Sequence, residues 1–168
     1  MFILSCRITV TMEDAAPAYR CFEGMKVRNL VKYLDRYMDC DAMFELGFRY
    51  FFGVKVRPDK RKALYWYYNS AILGNEIAMY MLGTMYASGE GCRPDVMESA
   101  YWFAQGAEAG HAASMNTLGI MYAEGIGVEQ SDEQAVALWE KAAELGSEEA
   151  VTNLKILRGE AVDDESEE

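Results

Sequence analysis

The sequence predicts an all-α fold, a solenoid of paired helices, on three observations. The chain matches itself at a shift of 36 residues across three blocks with no insertion. Apolar residues within each block return at helical spacing. Glycines return at fixed places between the apolar stretches. A fixed period of this length belongs to stacked helical units, each of which buries its apolar face only against its neighbours.

The blocks are "AMFELGFRYFFGVKVRPDKRKALYWYYNSAILGN" from Ala42, "AMYMLGTMYASGEGCRPDVMESAYWFAQGAEAGH" from Ala78, and "SMNTLGIMYAEGIGVEQSDEQAVALWEKAAELGS" from Ser114. They give repeats at 42–77, 78–113 and 114–149, with a partial fourth at 150–158 that keeps Ala150 and Leu154 in register. Matched columns are Leu46/Leu82/Leu118, Gly47/Gly83/Gly119, Tyr50/Tyr86/Tyr122, Gly53/Gly89/Gly125 and Gly74/Gly110/Gly146.

Each block reads as two helices. In the first helix of the second block, Met79, Leu82, Gly83 and Tyr86 share a face. A glycine mid-helix costs about 1 kcal/mol of propensity. Its recurrence predicts that another backbone approaches closely there. The second helices start at Asp59, Asp95 and Ser131, all good N-caps. Asp95-x-x-Glu98 and Ser131-x-x-Gln134 are capping-box patterns, and Pro58 and Pro94 keep the preceding residue out of the helix. Gly74, Gly110 and Gly146 close these helices with positive φ. The G-x-G of Gly89 and Gly91, and of Gly125 and Gly127, is then a turn between helices. A dinucleotide loop needs a strand before it and a third glycine in step, and neither is present.

These blocks resemble the Sel-1-like repeat, a relative of the tetratricopeptide repeat. The resemblance rests on the small-x3-LG-x2-Y-x2-G frame (Ala78, Leu82, Gly83, Tyr86, Gly89), the turn of Gly125, Gly127 and Val128, and the closing "WEKAAELG" of Trp139 to Gly146. It covers residues 42 to about 158 and implies a right-handed α/α solenoid, whose members are mostly adaptors and scaffolds. Some secreted bacterial members carry a disulfide in each repeat. This chain lacks those cysteine pairs, so neither that redox setting nor their penicillin-related activities carry over.

Outside the repeats, residues 1–25 are expected to form an arm, partly ordered at best. Its alternating Leu4, Cys6, Ile8, Val10 and Met12 suit a strand-like segment, and Met12 is an alternative start. No basic residue precedes the short apolar run, which makes a signal-peptide reading the weaker expectation. Residues 26–40 are expected to form a capping helix, with Val27, Leu30, Val31, Leu34 and Met38 on its stripe. The acidic end, 159–168, is expected to be a disordered tail, with folding back onto the basic end as the alternative.

The net charge of −11 is unevenly placed. Residues 1–75 hold 12 Lys/Arg against 8 Asp/Glu, a balance of +4, and residues 76–168 hold 4 against 19, a balance of −15. The acidic half opposes nucleic-acid binding. No apolar run approaches the roughly 20 residues of a membrane helix. Four cysteines (Cys6, Cys21, Cys40, Cys92) without CxxC spacing and one histidine, His111, supply no metal site, and no cofactor is expected. Reduced thiols and a cytoplasmic monomer or weak oligomer are the expectation.

Candidate partner-binding residues are the first-helix positions that helical phase turns away from the second helix. They are Phe44, Phe48 and Phe52, then Ile77, Tyr80, Met81 and Thr84, then Asn116, Thr117, Ile120 and Glu124. By the resemblance they line a concave groove, suited to an apolar or amphipathic peptide; the chain's own N-terminal residues are the competing cover. Lys55, Arg57, Lys60, Arg61 and Lys62 form a basic turn able to steer an acidic partner. Trp66, Trp102 and Trp139 are expected in the core between second helices, and His111 is read as structural. A protein-interaction module is the leading reading, binding a protein or peptide partner. An inhibitor or immunity protein for a toxin or effector enzyme is the second. A hydrolase is the remote third, since no nucleophile, base or metal converges.

Overall fold

The computed structural model describes residues 22 and 24–160. The expected N-terminal arm lies outside these residues apart from its last few positions, as does the acidic tail beyond Glu160. The described residues form eight helices and no strand. The chain divides into two compact units, one ending at Asp95 and one beginning at Val96.

The first unit contains α1 (Val27–Leu34), α2 (Cys40–Phe52), α3 (Lys60–Ile72) and α4 (Glu76–Ser88). Here α1 packs on α2, α2 on α3, and α3 on α4. The second contains α5 (Val96–Glu108), α6 (Ala112–Glu124), α7 (Asp132–Glu144) and α8 (Glu148–Arg158), with α5 on α6, α6 on α7, and α7 on α8.

Four first helices begin on caps spaced 36 residues apart. Asp39 accepts from the amides of Asp41 and Ala42, Asn75 from Ala78, His111 from Ser114, and Ser147 from Ala150. Each satisfies donors that the first turn leaves open, at about 1 kcal/mol apiece. This assigns the lone histidine its work: Nδ1 takes the Ser114 amide at 3.2 Å. Among the second helices, Asp59 caps α3 through Lys62 and Ser131 caps α7 through Gln134.

The mid-helix glycines work differently from the expected backbone approach. A β-carbon at Gly47 would lie 2.6 Å from Cδ1 of Tyr67, and one at Gly119 would collide with Nε1 of Trp139. The neighbour is a ring from the second helix of the same repeat. The chain's close backbone approach occurs instead at the second glycine of the turn. Gly91 presses on the main chain of Lys60, and Gly127 on that of Val96. Both have positive φ, 82° and 70°.

The tryptophans therefore split. Trp139 is buried against its own repeat's first helix and donates to the Asn116 carbonyl at 3.0 Å. It belongs with Tyr67, not with Trp66. Trp66 is half-buried and packs on a cluster formed by Phe22, Leu30, Ala42 and Leu46. Trp102 is buried.

At the start of the described chain, α1 is shorter than the expected 26–40. Asp39 must adopt an extended backbone (φ −110°, ψ 114°) to cap α2, so the helix cannot run on through it. Met38 consequently leaves the stripe and is exposed. The Tyr33 hydroxyl donates to Asp39 at 3.0 Å; burial, and then that carboxylate, push its pKa up to about 12.

Arg49 fastens this end. Its guanidinium is fully buried, bonds Glu45 at 2.6 Å through Nε, and donates to the carbonyls of Met25 and Phe22. The other repeats carry Met85 and Met121 in this column.

Gly119→Ala should destabilise the protein by about 1–3 kcal/mol in urea unfolding, because overpacking against Trp139 outweighs the helix-propensity gain of about 1 kcal/mol. Gly24→Ala, which meets open space, should change stability by less than about 0.5 kcal/mol. Arg49→Ala should cost about 3 kcal/mol, since it strips the Met25 carbonyl and the Glu45 carboxylate of their buried donor. Amide exchange should quicken through α1 while α6 to α8 keep their protection.

Candidate functional site

The predicted site residues fall on α2 and α4 of the first unit and on α6 of the second. On α2, Phe44 is half-buried with its ring 5.4 Å from that of Tyr67, so it belongs partly to the α2–α3 packing. Phe48 and Phe52 are 37% and 57% exposed, with ring centroids 4.7 Å apart. Phe51 backs them, 4.8 Å from Phe52, and Val54 beyond them is exposed too. Two rings and a valine thus form one apolar spot at the C-terminal end of α2.

The described N-terminal residues leave this spot open. Phe22, Met25 and α1 pack against Ala42, Leu46, Tyr50 and Trp66, a different strip of α2. On α4, Ile77 is exposed, while Tyr80, Met81 and Thr84 are half-buried. The Thr84 hydroxyl donates to the Met81 carbonyl at 2.8 Å.

On α6 the picture is more internal. Asn116 accepts Trp139 Nε1 on its carbonyl and Asn153 Nδ2 on its side-chain oxygen, at 3.0 and 2.8 Å. It ties α6 to α7 and α8, a structural duty that helical phase alone does not reveal. The Thr117 hydroxyl donates to the Ala113 carbonyl, Ile120 is half-buried, and Glu124 is exposed.

The basic turn lies beside the apolar spot. Lys60 has its ammonium 3.0 Å from the centroid of the Phe51 ring and 3.0 Å from Glu90. Lys62 pairs with Asp59 at 3.4 Å and lies 5.3 Å from the Tyr50 ring. Arg57 and Arg61 are exposed. Lys55 takes the left-handed conformation (φ 60°) that Gly91 and Gly127 take in its column. It borders a recess of about 460 Å³ with Gly24, Met25, Lys26, Val27 and Arg28.

The second unit holds a shallower apolar groove of about 520 Å³ between α5, α6 and α7, floored by Met115, Leu118, Tyr122 and Leu138. Leu138 stands where the earlier repeats have Trp66 and Trp102. Leu138 lines this groove, and the indole stands one place on, at Trp139.

The titrating groups do not converge on a reactive centre. Burial raises the pKa of Tyr67, with the Glu45 carboxylate adding to it, and burial likewise raises that of Cys92. Asp59 and Glu149 are lowered by backbone hydrogen bonds at helix N-termini. Among the described residues no three His, Cys, Asp or Glu side chains gather as metal ligands, and no helix is long and apolar enough to cross a membrane. Cys40 is buried and Cys92 half-buried.

A family profile described as Sel1 repeat matches residues 40–75, 77–111 and 112–147. Among solved structures, a Sel1 repeat protein from Oxalobacter formigenes is 34% identical at a TM-score of 0.71, covering 77% of this chain and 96% of that one. The protein c5321, described as a protective antigen of uropathogenic Escherichia coli strains with an SLR fold, is 32% identical at a TM-score of 0.74. The match covers 80% of this chain and 29% of that one. Helicobacter pylori cysteine rich protein B is 23% identical at a TM-score of 0.58, over 77% of this chain and 98% of that one, a likeness of fold. A search of curated protein sequences finds no match.

The cap at the basic turn sets a pH dependence. The Lys62 amide holds the Asp59 carboxyl below its ordinary 3.8, so the unfolded chain binds its proton first as pH falls. The cap's contribution is complete above that ordinary value and is lost as pH drops through the lower folded one. Asp59→Asn should flatten the acid limb of stability against pH, measured by urea unfolding at a series of acidic pH values.

Proposed function

The chain belongs to the Sel1 repeat family, and from that premise we propose that it is a non-enzymatic interaction module holding a protein or peptide partner on its first-helix faces. Repeats of this family serve generally in protein–protein interaction. The observation that carries the reading for this chain is the exposed pair Phe48 and Phe52, backed by Phe51 and flanked by the exposed Val54. Aromatic rings on a rigid helix lose little entropy on binding and make good anchors. Ile77, Tyr80, Met81 and Thr84 extend the candidate surface along α4. Thr117, Ile120 and Glu124 are its counterparts on α6. Asn116 is retained for position rather than contact.

A second reading, a cognate inhibitor of a basic enzyme, is favoured by one observation: the balance of −15 over residues 76–168. Charge of that sign accelerates encounter with a basic protein. The setting proposed for either role is the cytoplasm.

Affinity capture from the native cell should compare the wild type with Phe48→Asp/Phe52→Asp, after circular dichroism shows the variant folded. Loss of one specific partner by about tenfold or more supports the groove. Full retention of every partner by the folded variant would place binding elsewhere. If the captured protein is an enzyme, its inhibition by stoichiometric complex separates inhibitor from adaptor.

A further inference from the structure

The side of α3 turned away from α2 carries a second stripe. Ala63, Tyr67, Ser70 and Ala71 are the buried side of this helix. Arg61, Tyr65, Tyr68 and Ile72 recur at i, i+4, i+7 and i+11 on its outer side. Tyr65, Tyr68 and Ile72 are 59%, 47% and 58% exposed. Single exposed apolar residues are ordinary, but a continuous run along one helix marks a contact surface.

The third repeat fills the same column with a different chemistry, and one of its members, Glu140, pairs with Arg158 at 3.0 Å. Its residues there are Glu133, Ala137, Glu140 and Glu144, all exposed. The first repeat has aromatic and aliphatic side chains in their place. The middle repeat is intermediate, with exposed Met97 and Tyr101 followed by Ala104 and Glu108.

Charge identifies the occupant. Helix α3 contains no acidic residue, and its first turn is Lys60, Arg61 and Lys62. Cations at this end oppose the helix dipole. Asp59 answers Lys62 and Glu90 answers Lys60. Arg57 and Arg61 have no ion pair among the described residues. Carboxylates on a partner would relieve that repulsion.

A second copy of the chain fits poorly. Stable interfaces bury about 800 Å² per partner, more than one stripe on a 13-residue helix offers. Self-pairing of α3 also brings no carboxylate to the arginines. Nucleic acid is opposed by the chain's net charge of −11. We propose that the outer face of α3 docks an acidic amphipathic helix of another protein. Its apolar side runs along Tyr65, Tyr68 and Ile72, and its carboxylates reach Arg57 and Arg61. This surface is distinct from the Phe48–Phe52 spot.

The test titrates the 15N-labelled full chain with a synthetic amphipathic peptide as long as α3, built of leucine and glutamate. Controls are the same peptide with lysine for glutamate and a single-stranded RNA oligomer. The glutamate peptide should shift the amides of residues 61–72, with affinity falling as salt rises. Tyr65→Ser/Tyr68→Ser and Arg57→Glu/Arg61→Glu should each weaken it by about tenfold or more. Should the tyrosine variant misfold, the arginine variant decides. Equal binding of the lysine peptide or the RNA would overturn the proposal. So would shifts confined to the Phe48–Phe52 spot, which would uphold the first-helix reading alone. Concentration-dependent self-association abolished by the tyrosine variant, or no shift at about millimolar peptide, would overturn it too.

Discussion

A ring occupying the place of a missing β-carbon is the contact on which the helix pairs of the first and third repeats depend. Tyr67 over Gly47 and Trp139 over Gly119 let two helices approach where any side chain would hold them apart. The residue removed is small and the residue inserted is large, so the pairing fixes rotation as well as distance. Once the rotation is fixed, every other position on both helices is assigned to core or surface. That is why Phe44 rests on Tyr67 while Phe48 and Phe52, one and two turns on, are exposed.

The caps and turns enforce the same register from the ends. Asp39, Asn75, His111 and Ser147 have different chemistries, yet each presents an acceptor to the third residue of its helix. Three of these helices then run 13 residues to a glycine with φ between 70° and 77°. Gly91 and Gly127 next bring the turn against the first residue of an earlier second helix. The third repeat is thus clamped at both ends and pinned in the middle by one ring. Asn75 also donates to Asp41, and Asn153 to Asn116, so first helices are tied sideways by amides.

Much of this was legible in the sequence because period fixes it. The helix pairs, the turn glycines and the second-helix caps at Asp59 and Ser131 follow from matched columns. The first-helix caps were equally periodic but chemically mixed, so a column of Asp, Asn, His and Ser hid one function. The mid-helix glycine revealed close approach without revealing what approaches, since a ring and a backbone leave the same mark in one strand of sequence. Asn116 had the right phase for a groove residue, but its phase could not show Trp139 and Asn153 already bonded to it. The end of helix α1 was misjudged because the stripe through Met38 continues across Asp39, whose capping role depends on the next helix.

The departures from period carry the rest. Where two repeats have Met85 and Met121, the first has Arg49; where two have Gly91 and Gly127, it has Lys55. Both departures lie where, among the described residues, the first repeat adjoins α1 in place of another repeat. Arg49 reaches the carbonyls of Phe22 and Met25, bonds a methionine could not make, and so fastens a non-repeating segment to a repeating one. Lys55 keeps the turn conformation without glycine and, among the described residues, borders an open recess rather than an earlier second helix. The outer column of α3 departs in the same repeat, yet this one is not explained by capping. Tyr65, Tyr68 and Ile72 remain exposed after α1 and Phe22 have covered their own strip. That exposed column is the surface on which the proposed docking of an acidic helix rests.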